Sequence, residues 1–193
     1  MPKTPGRDVR GVTLVEMLVT LAVSAILMLA ALPSLSDLVA EYHVARAADL
    51  LAASLALART TAAARRTEVM LSPAANARTL DRGWQLSTVA TRPTEAHRSQ
   101  PPFSMVRLGE RCLTVALHGT AGAGGAQSLR LTAVGYSRSE RGGFFAATFH
   151  LRCHTAQRQV RLGAQGRIRT CRPGVDIDCD PLESTNPAPS AAR

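Results

Sequence analysis

Twenty consecutive residues without a charge, Met17 to Ser36, constrain this chain more than any other feature. As a helix they span about 30 Å, roughly the thickness of a bilayer core. A short basic leader with Lys3, Arg7 and Arg10 precedes the run and ends at Gly11. One carboxylate, Glu16, sits at the edge of the apolar stretch, where an unpaired charge is costly. A cut after Gly11 frees a cationic amine on Val12, one helical turn from that carboxylate. An ordinary secretory signal has an apolar core of about 7–15 residues followed by a small-residue cleavage site. Here the run is longer and the only plausible cut precedes it, so a retained membrane helix over about 12–36 is expected.

Pro33 falls inside the run and removes a backbone donor, which predicts a kink. Beyond it the pattern turns amphipathic. Leu35, Leu38, Val39 and Tyr42, then Leu51, Leu55, Ala58 and Ala62, recur at three- and four-residue steps. Asp37, Glu41, Arg46, Asp49 and Arg59 occupy the other face. One long helix over 12–66 follows, its second half packed on a globular head. The rest reads as short β-runs between Gly, Pro and Ser. The candidates are Thr67–Ser72, Gly83–Val89, Phe103–Leu108, Cys112–Leu117, Ser128–Val134, Phe144–Cys153, Gln159–Leu162 and Arg167–Cys171. Phe145, Ala147, Phe149 and Leu151 alternate with Phe144, Ala146, Thr148 and His150, as a half-buried strand requires. Loops Ala90–Pro102 and Gly119–Gln127 read as flexible. From Pro173 the chain is polar and acidic (Asp176, Asp178, Asp180, Glu183), a disordered tail by composition. The organisation is therefore leader 1–11, helix 12–66, β-rich head 67–172 and tail 173–193, an α+β fold with a small antiparallel sheet head.

The 193 residues carry a formal net charge of +9, and aromatics make up only 4%. The core must then rest on Leu, Val and Ala. Lys3 is the only lysine, so nearly all the positive charge is arginine. The four cysteines, Cys112, Cys153, Cys171 and Cys179, lie beyond the membrane segment. The basic leader stays cytoplasmic, which puts them in an oxidising periplasm where disulfides persist. Four cysteines allow three pairings. Cys171–Cys179 is favoured because a short Pro/Gly loop closes easily; free thiols or a bond to Cys153 stay open.

The sequence Arg10-Gly11-Val12-Thr13-Leu14-Val15-Glu16 resembles the type III signal of the type IV pilin superfamily. The resemblance implies cleavage after Gly11 by a prepilin peptidase and N-methylation of Val12, a position the family usually fills with phenylalanine. Glu16 then neutralises the new α-amine, most plausibly that of a neighbouring subunit during assembly; a helix-capping carboxylate is the alternative. The proline 21 residues beyond the new N-terminus fits the same pattern. Gly83-Trp84 after the first strand and Gly166-Arg167-Ile168-Arg169 near the end resemble the FimT/GspH family of minor pilins and pseudopilins. That likeness extends to about Pro173.

Eight arginines lie between Arg138 and Arg172 against one acid, Glu140. On a strand Arg167 and Arg169 share one face, about 7 Å apart, with Ile168 opposite. Two guanidinium groups so placed can each grip a backbone phosphate, without sequence preference. In the FimT branch the glycine–arginine motif is associated with DNA uptake in natural transformation, which implies DNA contact by Arg167 and Arg169, supported by Arg161, Arg172 and Arg158. A filament contact or a plain solvated face is the alternative. Tyr136 is the one exposed aromatic nearby, which argues against a single-strand stacking platform. The acidic tail carries the charge to fold back on the arginines and compete with phosphate. His150, Cys153 and His154 do not converge on one strand face, so no metal site is expected. Gly119–Gly125 lacks the Lys-Ser/Thr of a phosphate loop, and no nucleophile, cofactor site or enzyme is visible. The expected protein is a single-pass inner-membrane subunit with a periplasmic head. It is incorporated into a type IV pilus with other pilins and binds DNA, or it serves as a purely structural pseudopilin of type II secretion.

Overall fold

The computed structural model describes residues 13–89, 101–119, 127–138, 145–177 and 179. The two loops expected to be flexible and the acidic tail lie largely outside these, as do the leader and Val12. Helix α1 runs from Leu14 to Arg65, and the chain divides into two compact units, Met1–Leu38 and Val39–Arg193.

In the first unit the described side chains of α1 are all exposed. Its start is set by Thr13, whose hydroxyl accepts the Glu16 N–H at 3.3 Å. Thr13 and Glu16 have the spacing of a capping box, and a carboxylate in the first turn also suits the helix dipole. Among the described residues no helix is long and apolar enough to cross a membrane. The side chains of residues 29–33, inside the Met17–Ser36 run and including Pro33, lie outside the described set.

In the second unit α1 buries Ala40, Val44, Ala47, Ala48, Leu51, Leu55, Ala58 and Ala62. Apart from adjacent Ala47 and Ala48, the steps are three and four residues, the period of one helix face, and the alanines allow close approach of the sheets. Val39 and Tyr42, expected on that face, are instead exposed at 44% and 63%. The helix ends in a Schellman arrangement. Arg66 takes φ 51°, and the Arg66 and Thr67 N–H groups bond the Ala63 and Ala62 carbonyls, satisfying carbonyls the helix would leave open.

Among the described residues nine strands follow: β1 Val69–Pro73, β2 Gly83–Thr88, β3 Ser104–Arg107, β4 Thr114–Gly119, β5 Leu129–Leu131, β6 Ser137–Arg138, β7 Ala147–Cys153, β8 Ala156–Leu162 and β9 Ile168–Cys171. They form two sheets, ordered β3-β2-β1-β5-β6 and β4-β7-β8-β9. All pairings are antiparallel. Val69, Leu71, Trp84, Leu86, Leu129 and Leu131 of the first sheet share one core with Val115, Leu117, Phe149, Leu151, Val160 and Leu162 of the second and with the buried face of α1. That core lies wholly within 39–193, so this segment has what it needs to fold alone.

The Gly83-Trp84 pair has a packing cause. Gly83 has φ 118°, and a Cβ there would lie 2.1 Å from the Val106 carbonyl oxygen. Trp84 is fully buried, and its indole N–H donates to Ser54 Oγ at 2.9 Å, while that hydroxyl donates to the Leu50 carbonyl. Asp81, in a short 3-10 turn, accepts the Val115 N–H at 2.6 Å and ties β4 to the first sheet's connection. Two disulfides lock the head. Cys112–Cys153 joins the approach to β4 with the end of β7, and Cys171–Cys179 closes the loop after β9.

Candidate polyanion-binding face

The arginine cluster occupies the β8–β9 hairpin, and strand parity divides it. Cross-strand partners are Leu162↔Ile168, Arg161↔Arg169, Val160↔Thr170 and Gln159↔Cys171. Leu162 and Val160 point into the core. Side chains alternate along a strand, so Arg161 and Arg169 point outward as a cross-strand pair. Arg167, exposed, precedes Arg169 by two positions.

Arg158 and Arg172 have the opposite parity, and they face the helix. Both reach the same oxygen of Glu41: Arg158 Nη2 lies 2.5 Å and Arg172 Nη2 2.6 Å from Oε1. These two, grouped with the outward arginines on sequence alone, form an ion-paired bridge between α1 and the open end of the hairpin. The carboxylate is about one-third exposed, so the bridge is screened and contributes modestly to stability. It does, however, commit two of the five arginines to the helix.

At the other end of the hairpin the turn is held by Arg59. Its Nη1 donates to the Gly166 carbonyl at 3.0 Å. Gly166 has φ 79°, and a Cβ there would sit 2.2 Å from the Gly135 carbonyl oxygen and 3.2 Å from Arg59 Nε. Only glycine fits this close crossing of two backbones. The turn is closed by hydrogen bonds from the Gly166 N–H to the Gly163 carbonyl and from the Gly163 N–H to the Arg167 carbonyl. The Ser137 N–H of β6 donates to Ala164 in the same turn. Glu41 and Arg59 lie 18 residues apart on α1, about 27 Å, so the two anchors act at opposite ends of the hairpin. Helix and hairpin are thus pinned at both ends, and the outward arginines are carried on a fixed frame.

The outward face extends across the whole four-stranded sheet. Register places His118, Thr148, Arg161 and Arg169 in one row and Ala116, His150, Gln159 and Cys171 in the next, with Arg152 beyond. The His118 and His150 rings meet edge to face, centroids 4.8 Å apart. Strands β4, β7, β8 and β9 contain no Asp or Glu, so the strands give this face positive charge only. Gln159 is buried beside the Cys171–Cys179 bond. Thr148, His150, Gln159, Arg161 and Arg169 each have a partner within the chain. An incoming anion would exchange with those contacts.

The histidine–cysteine grouping differs from expectation. His150 is engaged with His118, while His154 takes φ 51° in the β7–β8 turn and comes within 4.8 Å of both Cys112 and Cys153. The two sulfurs are bonded to each other, and sulfur in a disulfide is not the thiolate that binds metal. Tyr136 is 40% exposed, next to Gly135 rather than on the outward face. Among the processing and assembly residues, Gly11 and Val12 lie outside the described residues. Glu16 sits in the first turn of α1.

Residues 6–32 match the model of the prokaryotic N-terminal methylation motif. Residues 47–166 match that of the type II transport protein GspH. The chain belongs to the GspH family. It is therefore a type IV pilin or pseudopilin family member, a structural subunit of a pilus or pseudopilus that assembles with other pilin subunits from a leader-bearing precursor. The GspH match ends at Gly166, one residue before Arg167, so Arg161 lies inside the matched segment and Arg167 and Arg169 lie beyond it. Solved structures similar to this chain include the type IV minor pilin FimU of Pseudomonas aeruginosa PAO1, 19% identical, with a TM-score of 0.49 over 65% of this chain and 86% of FimU. Another is the minor pseudopilin EpsH from the type 2 secretion system of Vibrio cholerae, 13% identical, with a TM-score of 0.49 over 68% of this chain and 98% of EpsH. No curated protein matches the sequence significantly.

Proposed function

We propose that this GspH-family chain is a minor pilin of a type IV pilus that binds DNA without sequence preference, in the service of natural transformation. Its N-terminal helix inserts in the inner membrane and then in the filament. Prepilin peptidase cuts between Gly11 and Val12, and Glu16 pairs with the α-amine of Val12 in a neighbouring subunit. Exposed Leu35 and Leu38 supply apolar surface for that packing. The observation that supports DNA binding is the outward arginine group, Arg161 paired across strands with Arg169 and Arg167 beside it, on a sheet face without a strand carboxylate. Such a surface attracts phosphate and releases counterions on binding.

The second reading is a pseudopilin of type II secretion with a purely structural role, favoured by the description of the matching family. Both readings share every N-terminal feature, and the arginines separate them. The test is equilibrium binding of duplex DNA by residues 39–193 and by Arg167→Gln/Arg169→Gln at low ionic strength. The DNA reading expects the variant to bind at least tenfold more weakly at an unchanged melting temperature. Equal binding, or none by either protein, removes it and leaves the secretion subunit or a minor pilin that only primes assembly.

A further inference from the structure

We infer that polyanion binding on the outward face is coupled to protonation, with His118 and His150 as contacts beside Arg161 and Arg169. The inference rests on the proposed DNA reading and adds residues and a regulation to it. Three observations carry it. Register puts His118 in the same outward row as Arg161 and Arg169, and His150 in the adjacent row, between Arg152 and Thr148 along β7. The two imidazoles touch edge to face, so they present one contiguous pair rather than two scattered rings. The strand residues around them offer positive charge and no carboxylate.

The charged groups near the pair can be named element by element. His118 is the only ionisable group on β4. Strand β7 adds Arg152 beside His150, β8 adds Arg161, and β9 adds Arg169, with Arg167 just before it. Arg158 has the opposite parity and is held by Glu41. After β9, Arg172 also turns to Glu41, and the Asp176 carboxylate accepts the Arg172 N–H at 2.6 Å. Imidazole is the side chain that ordinarily changes charge between about pH 5 and 8. Phosphates laid over the face favour the cationic form of each imidazole. Binding therefore takes up protons, and by linkage acid pH strengthens binding. At alkaline pH the arginines alone remain as the phosphate grip.

The test uses residues 39–193 and a fluorescent DNA duplex at constant ionic strength between pH 5.5 and 8.5. Wild type is compared with His118→Gln/His150→Gln, which keeps polar side chains on exposed and half-buried sites. The imidazole resonances are also titrated by NMR, with and without DNA. Wild type is expected to bind on the order of tenfold more tightly at the acid end, and the double variant to lose most of that gain while matching wild type near pH 8.5. DNA is expected to move the His118 and His150 titrations upward and leave that of His154 in place. A pH-independent wild type, or a double variant with the full pH dependence, overturns the inference while the arginine reading stands. Wild type that binds no DNA at either pH overturns the proposed function and this inference with it.

Discussion

Gly166→Ala is expected to unfold the hairpin frame from its turn. The new methyl group would be placed 2.2 Å from the Gly135 carbonyl oxygen and 3.2 Å from Arg59 Nε, on a residue with φ 79°. A non-glycine residue in the left-handed region costs about 1 kcal/mol, and a forced overlap with backbone adds about 2 kcal/mol. The sum, about 3 kcal/mol, lowers the melting temperature of the 39–193 head by about 10 °C. The same shift displaces Arg59, so the loss should overlap with that of Arg59→Met, which removes the 3.0 Å bond to the Gly166 carbonyl. Residues that share a contact are not additive, and a coupling of about 1 kcal/mol is expected between these two substitutions. The assay is thermal unfolding of the two single variants and the double, followed by near-ultraviolet circular dichroism with disulfides intact. A Gly166→Ala head that melts within 2 °C of wild type, or losses that simply add, would refute the crossing of Gly135, Gly166 and Arg59 as the lock of the turn; both thresholds are roughly the resolution of such melts.

Ser54→Ala should cost about 1–3 kcal/mol, because it leaves the buried Trp84 N–H without its acceptor; a shift of the urea midpoint at unchanged slope would show this, and an unchanged midpoint would contradict it. Glu41→Gln is expected to change stability by no more than about 1 kcal/mol, the pair being partly exposed. It should also raise DNA affinity as Arg158 and Arg172 lose their counter-charge, so weaker binding would count against the bridge. Removing the Cys112–Cys153 bond, with a separation of 41, should cost more than removing Cys171–Cys179, with a separation of 8. Chain entropy gives about 4 against about 2.5 kcal/mol. Paired Cys→Ser variants compared by chemical denaturation test the order, and the reverse order would contradict it.

Much of the architecture was legible because it repeats locally. The three- and four-residue steps of Leu51, Leu55, Ala58 and Ala62 marked the helix, and the alternation around Phe149 marked β7. What escaped was non-local or too short to have a period. β6 is two residues long. The start of β8 was hidden because Gln157, Arg158 and Gln159 are polar on both faces, with Gln159 buried near the Cys171–Cys179 bond. That missing start had a consequence for the site. Arg158 and Arg161 are three apart, which places them on opposite faces of a strand, yet without β8 beginning at Ala156 the two read as one cluster. Arg59 meets Gly166 across 107 residues, and no local signal announces such a contact. The outward row with His118 likewise needs the register of four strands. The sequence favoured Cys171–Cys179 for its short loop, whereas Cys112 and Cys153, with a separation of 41, carried no local signal of their own.

The central claim is that strand parity decides which arginines grip phosphate. The most direct measurement is the salt dependence of duplex DNA binding by residues 39–193, compared for Arg161→Gln/Arg169→Gln and Arg158→Gln/Arg172→Gln. The outward pair should lower the slope of log affinity against log salt by about 1.8, two phosphate contacts' worth, and the helix-facing pair should leave it near the wild-type value. Equal losses from both pairs, or a larger loss from the helix-facing pair, would contradict the account.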